Sequence, residues 1–161
     1  MKKASFIIGI LFVILLSCNK KPNNSALATS GQNDFKFKVE TVVDGLEVPW
    51  SMAFLPDGAM LITEQKGELI YFKNGVRKTI EDVPKVYFKG QGGLLDIELD
   101  PAYDKNGWLY LCYSSDLEND NKGGNTTIMR AKLSNNKLIE KKVLYKATPN
   151  TTKGAHFGSR I

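Results

Sequence analysis

The sequence predicts an all-β fold, and two patterns in its 161 residues support this. Apolar and polar residues alternate with a period of two along several short segments, which is typical of strands with one buried face. Turn-forming residues separate these segments at intervals of about 8 to 12 residues. No segment shows the apolar periodicity of an amphipathic helix. We therefore expect antiparallel strands joined by short connections.

Eight segments have the strand pattern, and each is bounded by turn-forming residues. In chain order they are 36–43, 50–55, 59–65, 68–73, 94–99, 108–114, 126–133 and 137–145.

A repeated unit makes the prediction more specific. The segments that begin at Ser51 and at Leu95 share the same order of strand, Pro-Asp or Asp-Pro, glycine turn, strand, turn and strand. Pro56 of the first aligns with Pro101 of the second at a spacing of 45 residues, close to the length of one four-stranded blade of a β-propeller. Two generic antiparallel meanders are the alternative, but the shared turn residues favour a true repeat.

The same register predicts the beginning of a third unit. Ile161 corresponds to Met52 and Ile97, so residues 156–161 would lead into the innermost strand of a third blade. Two blades and a beginning cannot close a ring, and they would leave sheet edges exposed. We therefore expect this sequence to be the N-terminal part of a longer propeller protein.

The first 18 residues resemble a bacterial lipoprotein signal peptide. Two lysines precede an apolar run of eleven residues, 6–16, which is too short to span a bilayer as a helix. The run leads into Leu-Leu-Ser-Cys, which resembles a lipobox, so Cys18 would become the lipidated first residue of the mature chain. An ordinary secretory signal is the alternative. We expect a lipid-anchored protein of the cell envelope, most readily on the periplasmic side of the outer membrane.

Composition divides the rest of the chain into a tether and one domain. Residues 19–35 are polar and rich in Asn and Ser, which predicts a disordered tether, and residues 36–161 carry the predicted strands. The formal net charge of +5 comes from lysines scattered among acids, so we expect no nucleic-acid partner. Cys112 is the one cysteine left in the domain, which excludes a disulfide framework and predicts a buried, inert thiol.

Gln91 and the chain's only histidine, His156, occupy equivalent places in the repeat. Gln91 lies six residues before Ile97, and His156 lies five residues before Ile161. The loops that lead into the innermost strands of a propeller form one face around its central channel. The repeat therefore predicts that both side chains converge on one pocket. Without that context, either residue would be an ordinary surface or turn residue.

Four segments, in this order and spacing, resemble the glucose/sorbosone dehydrogenase family. They read GLEVPWSMAFLPDGAMLITEQKGEL, GQGGLLDIELDP, NGWLYLCYS and HFGSRI, and the resemblance extends over residues 37–161. Members of this family are soluble aldose dehydrogenases that use pyrroloquinoline quinone (PQQ) and calcium. The resemblance implies a six-bladed propeller, of which this chain would form two blades and the beginning of a third.

The resemblance also implies roles for individual residues. His156 would be the general base that takes the anomeric hydroxyl proton of an aldose while the C1 hydride moves to PQQ, so that a lactone forms. Gln91 would bind sugar and quinone, and Gly92 would let the backbone approach the cofactor closely. Ala155 stands where the glucose-specific branch carries an aspartate, which favours the broader aldose branch. The PQQ and calcium ligands would lie beyond residue 161, so this chain alone is expected to be inactive.

Two other functions remain open from the sequence. A non-catalytic propeller lipoprotein could bind a sugar or a protein, although it would not need both Gln91 and His156. A calcium-dependent lactonase-like propeller would need several acidic or Asn ligands at the starts of the inner strands. Asp96 alternates with two further acids along one predicted strand, and we expect a solvated sheet face there. We also expect residues 116–125 to form an exposed hairpin loop, and we predict no metal ligand in this chain.

Overall fold

The computed structural model describes residues 37–116 and 123–161. The predicted signal peptide 1–18 with Cys18, the tether 19–35 and most of the predicted hairpin loop 116–125 lie outside these residues. The chain divides into Met1–Val39 and Glu40–Ile161, and the second unit contains all the strands described here. No helix in the described parts of the chain has the length and apolar character needed to cross a membrane.

Two four-stranded antiparallel sheets form the second unit. In each sheet the strands are paired in chain order. The first sheet consists of β1 (Pro49–Phe54), β2 (Met60–Glu64), β3 (Glu68–Lys73) and β4 (Val76–Thr79). The second consists of β5 (Leu94–Leu99), β6 (Trp108–Ser115), β7 (Asn125–Ser134) and β8 (Lys137–Lys146), with a single helical turn, α1 (Tyr103–Asn106), between β5 and β6. Each sheet is thus a meander of the kind predicted for one blade.

Two tight hairpins show how the local sequence fixes these meanders. Asn74 and Gly75 join β3 to β4 with φ angles of 49° and 78°, and Asn135 and Asn136 join β7 to β8 with φ angles of 49° and 60°. A two-residue hairpin with positive φ at both positions is favoured by Asn and Gly, because its twist matches that of the flanking strands. The Asn-Gly and Asn-Asn pairs therefore set the register of the outer strands in both sheets.

The structure corrects the strand prediction in two places. Residues 37–43 form no strand, although alternation predicted one at 36–43. Alternation produces a strand only where a neighbouring strand offers hydrogen-bonding partners, and Val42 remains 66% exposed. Conversely, β4 was missed because its four residues are all exposed and lack an apolar alternation. It is held by pairing with β3, with Thr79 opposite Ile70.

The core lies between the two sheets. Leucine and isoleucine side chains from both sheets meet there with no exposed surface: Leu61, Leu69, Ile97, Leu109 and Leu111. Burial of each such side chain contributes about 1.5–3 kcal/mol. The core explains why the two sheets stack as neighbouring blades with β1 beside β5.

The opposite face of β1 is apolar but open. Trp50 is 39% exposed and does not pack in the core. Met52 and Phe54 are more exposed still and alternate with the buried Ala53. These side chains line a cleft of about 790 Å³ that also reaches Arg160.

Candidate functional site

A buried carboxylate connects the inner strands. Asp96 on β5 is 1% exposed, and its Oδ1 accepts a hydrogen bond of 2.6 Å from the hydroxyl of Ser51 on β1. Its Oδ2 accepts a hydrogen bond of 2.8 Å from the backbone N–H of Ile161. Ser51 and Asp96 are 45 residues apart, so they occupy equivalent positions in the two repeats. Asp96 thereby joins the starts of three successive units.

This burial overturns the expectation of a solvated acidic face at Asp96. As an inner strand, β5 is covered on both sides, and Leu95, Asp96 and Ile97 are all buried while Glu98 is exposed. Alternation of acids along a strand indicates a solvated face only when one side of the sheet is open. The signal that could have identified Asp96 is the pairing of Ser51 with Asp96 in the repeat register.

Two loops meet where the chain approaches the inner strands, and we call residues 89–93 and 152–157 the site junction. The backbone N–H of Gln91 donates to the carbonyl of Gly154 at 2.8 Å. The backbone N–H of His156 donates to Oε1 of Gln91 at 2.9 Å. Lys89 Nζ donates to the carbonyl of Thr152 at 2.8 Å. The backbone of His156 therefore lies against the side chain of Gln91. The predicted convergence of both side chains on one pocket stays a prediction.

Glycines allow this close contact between loops. A Cβ added to Gly90 would lie 2.3 Å from the carbonyl oxygen of Gly154, and one added to Gly93 would lie 1.9 Å from that of Gln65. Both glycines also have positive φ, at 57° and 151°, where other residues are disfavoured. No larger residue would fit at either position without displacing backbone.

Gly92 is buried by protein atoms in the described structure. A Cβ at this position would lie 2.7 Å from the carbonyl oxygen of Tyr87, 2.8 Å from Oγ of Ser114 and 2.9 Å from the ring of Phe157. Packing within the protein is thus sufficient to require glycine here. Its predicted contact with a cofactor stays a prediction.

His156 has a backbone conformation that is uncommon for a residue with a side chain. Its φ is 63°, in the left-handed region, which costs about 1 kcal/mol relative to the right-handed region. The next residue, Phe157, is 2% exposed and packs edge-on against Tyr87, with ring centroids 6.4 Å apart. The Thr126 hydroxyl donates to the Phe157 carbonyl. A buried anchor therefore follows His156 directly.

The reactive ends of Gln91 and His156 remain available. Both residues are exposed, and among the described residues neither the imidazole nor Nε2 of Gln91 has a hydrogen-bond partner. Oε1 of Gln91, by contrast, is already bonded to a backbone N–H. Each of these two side chains thus keeps a polar end available to a ligand.

The remaining candidate chemistry lies elsewhere. Neither Gln91 nor His156 lines the 790 Å³ cleft, which belongs to the open face of β1. Within 37–116 and 123–161, no three His, Cys, Asp or Glu side chains are grouped so that they could hold a metal ion.

Cys112 is buried, and burial, with a smaller effect of Asp96, raises the pKa of its thiol to about 11. The prediction that this thiol is buried is therefore confirmed, and its inertness stays a prediction.

Comparison with known proteins gives a consistent result. The family model described as glucose/sorbosone dehydrogenase matches residues 46–161. An aldose sugar dehydrogenase of Escherichia coli strain K12 is 37% identical over 128 residues, which cover 76% of this chain and 34% of that protein. A protein of Synechocystis that is described as uncharacterized is 33% identical over 153 residues, covering 89% of this chain and 36% of that one.

Solved structures agree with these relatives. A crystal structure of a glucose dehydrogenase has a TM-score of 0.70 at 34% identity and covers 75% of this chain and 36% of that chain. The PQQ-bound aldose sugar dehydrogenase of Streptomyces coelicolor has a TM-score of 0.56 at 27% identity, over 69% of this chain and 34% of that chain. The chain thus spans about a third of the length of the proteins it matches, and its two sheets and the segment after them form part of a β-propeller.

Proposed function

Because this chain belongs to the glucose/sorbosone dehydrogenase family, we propose that its protein oxidises aldose sugars at C1 to lactones with PQQ as the oxidant. The observation that supports this most directly is the hydrogen bond from the backbone of His156 to the side chain of Gln91. It brings the backbone of the residue that carries the imidazole against the carboxamide of Gln91, and both side chains keep an end available to a ligand. The relatives described as aldose sugar dehydrogenases make an aldose the substrate class to test.

The proton transfer is assigned to His156. An unprotonated ring nitrogen takes the proton of the C1 hydroxyl, while the C1 hydrogen leaves with its electron pair and the C1–O bond becomes a carbonyl. PQQ, when bound, supplies the acceptor for that hydride. Imidazole suits this task because it can take and release a proton near neutral pH. The sugar loses one proton and one hydride, so the product is the lactone.

Gln91 orients the substrate in this proposal. Its Nε2 can donate to a sugar oxygen, whereas its Oε1 is already bonded to His156. The neutral amide and imidazole fit a neutral polyol and one edge of a cofactor site. Cationic partners for the PQQ carboxylates and the calcium ligands are proposed to lie outside this chain, so we assign none here.

Substrate range and location complete the proposal. Ala155, directly before His156, offers no hydrogen-bonding side chain to a sugar, which favours a broad aldose specificity.

Lipidation of Cys18 would hold the enzyme at the cell envelope, where electrons could pass to a membrane carrier. We expect the wild-type protein to incorporate labelled palmitate. The Cys18→Ser variant should lose this label and be released from the membrane fraction. Unchanged membrane attachment in that variant would refute the anchor.

The catalytic assignment is tested with the complete protein, loaded with PQQ and calcium, in a dye-reduction assay with several aldoses. His156→Ala should lower kcat by about 10²–10⁴-fold, the usual contribution of a general base, while the unfolding midpoint stays unchanged. Lys153→Met, an exposed change in the same loop, is the matched control and should leave kcat within about twofold. Activity with no aldose, or full activity of His156→Ala, would refute the proposal.

A further inference from the structure

We infer that Gln91 is a positioning residue: its side-chain oxygen holds the backbone of His156 in the left-handed conformation that presents the imidazole. This inference rests on the proposed function, and it goes beyond contact of Gln91 with a ligand. It divides the carboxamide into two parts. Oε1 serves the protein, and only Nε2 is left for the sugar.

Two hydrogen bonds of opposite direction support this. Gln91 donates its backbone N–H to the carbonyl of Gly154 at 2.8 Å, and it accepts the N–H of His156 on Oε1 at 2.9 Å. Together they close a ring between one residue of the first loop and the three-residue stretch 154–156. Since N–H can bond only to an acceptor, the contact also fixes which end of the carboxamide faces the backbone.

The residues next to His156 do not by themselves fix its left-handed backbone conformation. His156 has a φ of 63°, and the nearby Gly154 and Gly158 have φ angles of 72° and 62°. Glycine adopts positive and negative φ about equally, so neither neighbour enforces the left-handed geometry. Phe157 is anchored by burial, but burial of one ring does not fix the rotation of the peptide that precedes it. The bond to Gln91 selects one rotation and thereby the direction of the Cα–Cβ bond that carries the imidazole.

Another contact between the same loops provides a matched control. Lys89 Nζ donates to the carbonyl of Thr152 at 2.8 Å. This bond joins the loops but does not reach His156. Removing it tests whether general loosening of the site junction is enough to disturb the histidine.

Two substitutions separate the two ends of the carboxamide in the complete protein. Gln91→Glu keeps an acceptor oxygen and loses the amide donor, whereas Gln91→Met keeps the length of the side chain and loses both. The first measurement is hydrogen–deuterium exchange of the peptide covering residues 152–158, without cofactor or sugar. Gln91→Met should speed exchange there by about tenfold, the effect of one lost hydrogen bond, whereas Gln91→Glu and Lys89→Met should stay within about twofold.

The second measurement is steady-state kinetics of the loaded enzyme. Gln91→Met should lower kcat by at least about tenfold. Gln91→Glu should retain more kcat than Gln91→Met and show its loss mainly in KM, because it lacks only the donor. Equal loss of kcat in both variants, or unchanged exchange in Gln91→Met, would overturn the inference. The exchange experiment needs no turnover, so it tests the positioning role of Gln91 even if no aldose is oxidised. If the wild type is active and exchange is unchanged in Gln91→Met, the positioning role is refuted and the proposed function stands.

Discussion

The core between the sheets and the site junction are built in different ways. Core side chains such as Leu69 and Leu111 are fully buried and held by apolar contact. The junction has the side chains of its two candidate residues, Gln91 and His156, exposed, and it is held by hydrogen bonds between loops and by glycines that let backbones touch. The difference leads us to expect that stability depends mainly on the core and that the proposed chemistry depends mainly on the junction. Core changes should therefore alter stability with little effect on turnover, and junction changes should alter geometry first.

The largest effect on stability is expected in the core. Leu111→Ala should lower the free energy of unfolding by about 3 kcal/mol, because a fully buried leucine loses its contacts and leaves a cavity. Urea unfolding of the complete protein measures this. The matched control is Ile139→Ala on β8, which is 36% exposed and should cost much less. A Leu111→Ala protein that is equally stable, or that is folded but has lost turnover, would contradict the separation of the two regions.

A glycine of the junction is expected to affect both properties. Gly93→Ala places a Cβ 1.9 Å from the carbonyl oxygen of Gln65, so backbone must move, at a cost of about 2 kcal/mol. Because the displaced loop carries Gln91, kcat should fall as well. Gly75→Ala is the control, since its φ is 78° but its Cβ would meet nothing within 4 Å. If both variants lose the same free energy of unfolding, the loss comes from the positive φ angle and not from the close contact with Gln65.

The same contrast explains what the sequence could and could not predict. The bounds of core strands such as β3 and β5 were predicted correctly because each is a short apolar segment between turn-forming residues. The polar edge strand β4 left no such pattern, since its order comes from pairing with β3. The proximity of Gln91 and His156 followed from the repeat register. The contact itself, from a side-chain oxygen to a backbone N–H, depends on loop conformations that no periodicity encodes.

Asp96 was misjudged for a related reason. Its place in an alternating acidic pattern was visible, but the coverage of β5 on both faces is a property of neighbouring blades. A buried carboxylate is tolerated there because each oxygen accepts a hydrogen bond, from Ser51 and from Ile161. This kind of burial can be recognised only when tertiary contacts are known.

We therefore expect Asp96→Asn to lower the free energy of unfolding by a moderate amount, less than the core and glycine substitutions above. An amide keeps one acceptor oxygen for the N–H of Ile161, but its NH2 group only donates, so the Ser51 hydroxyl must turn to accept it. We expect this change to cost about 1.5 kcal/mol of stability. The measurement is again urea unfolding, with Ser51→Ala as the partner variant. If Ser51→Ala and Asp96→Asn act on the same bond network, the double variant should lose less than the sum of the single losses. Strict additivity would show that Asp96 does not bind Ser51 in solution.

Cys112 carries the one thiol of the described residues, and it lies in the buried region. Burial raises the pKa of its thiol from 9.0 to about 11, and Asp96 contributes in the same direction. As the pH rises, the thiol of the unfolded chain ionises first. The stabilisation from the neutral thiol is therefore fully present below pH 9.0 and is lost as the pH rises through about 11.

The measurement is reaction with an alkylating reagent at pH 8, where the folded thiol is un-ionised and covered. The folded protein should react at least about 100-fold more slowly than the protein unfolded in urea, since the thiolate is the reacting form. The turnover proposed for the complete protein should persist during this incubation, because the covered thiol does not react. Rapid labelling of the folded protein, with loss of activity, would show that Cys112 is accessible. It would also contradict the separation of the core from the junction.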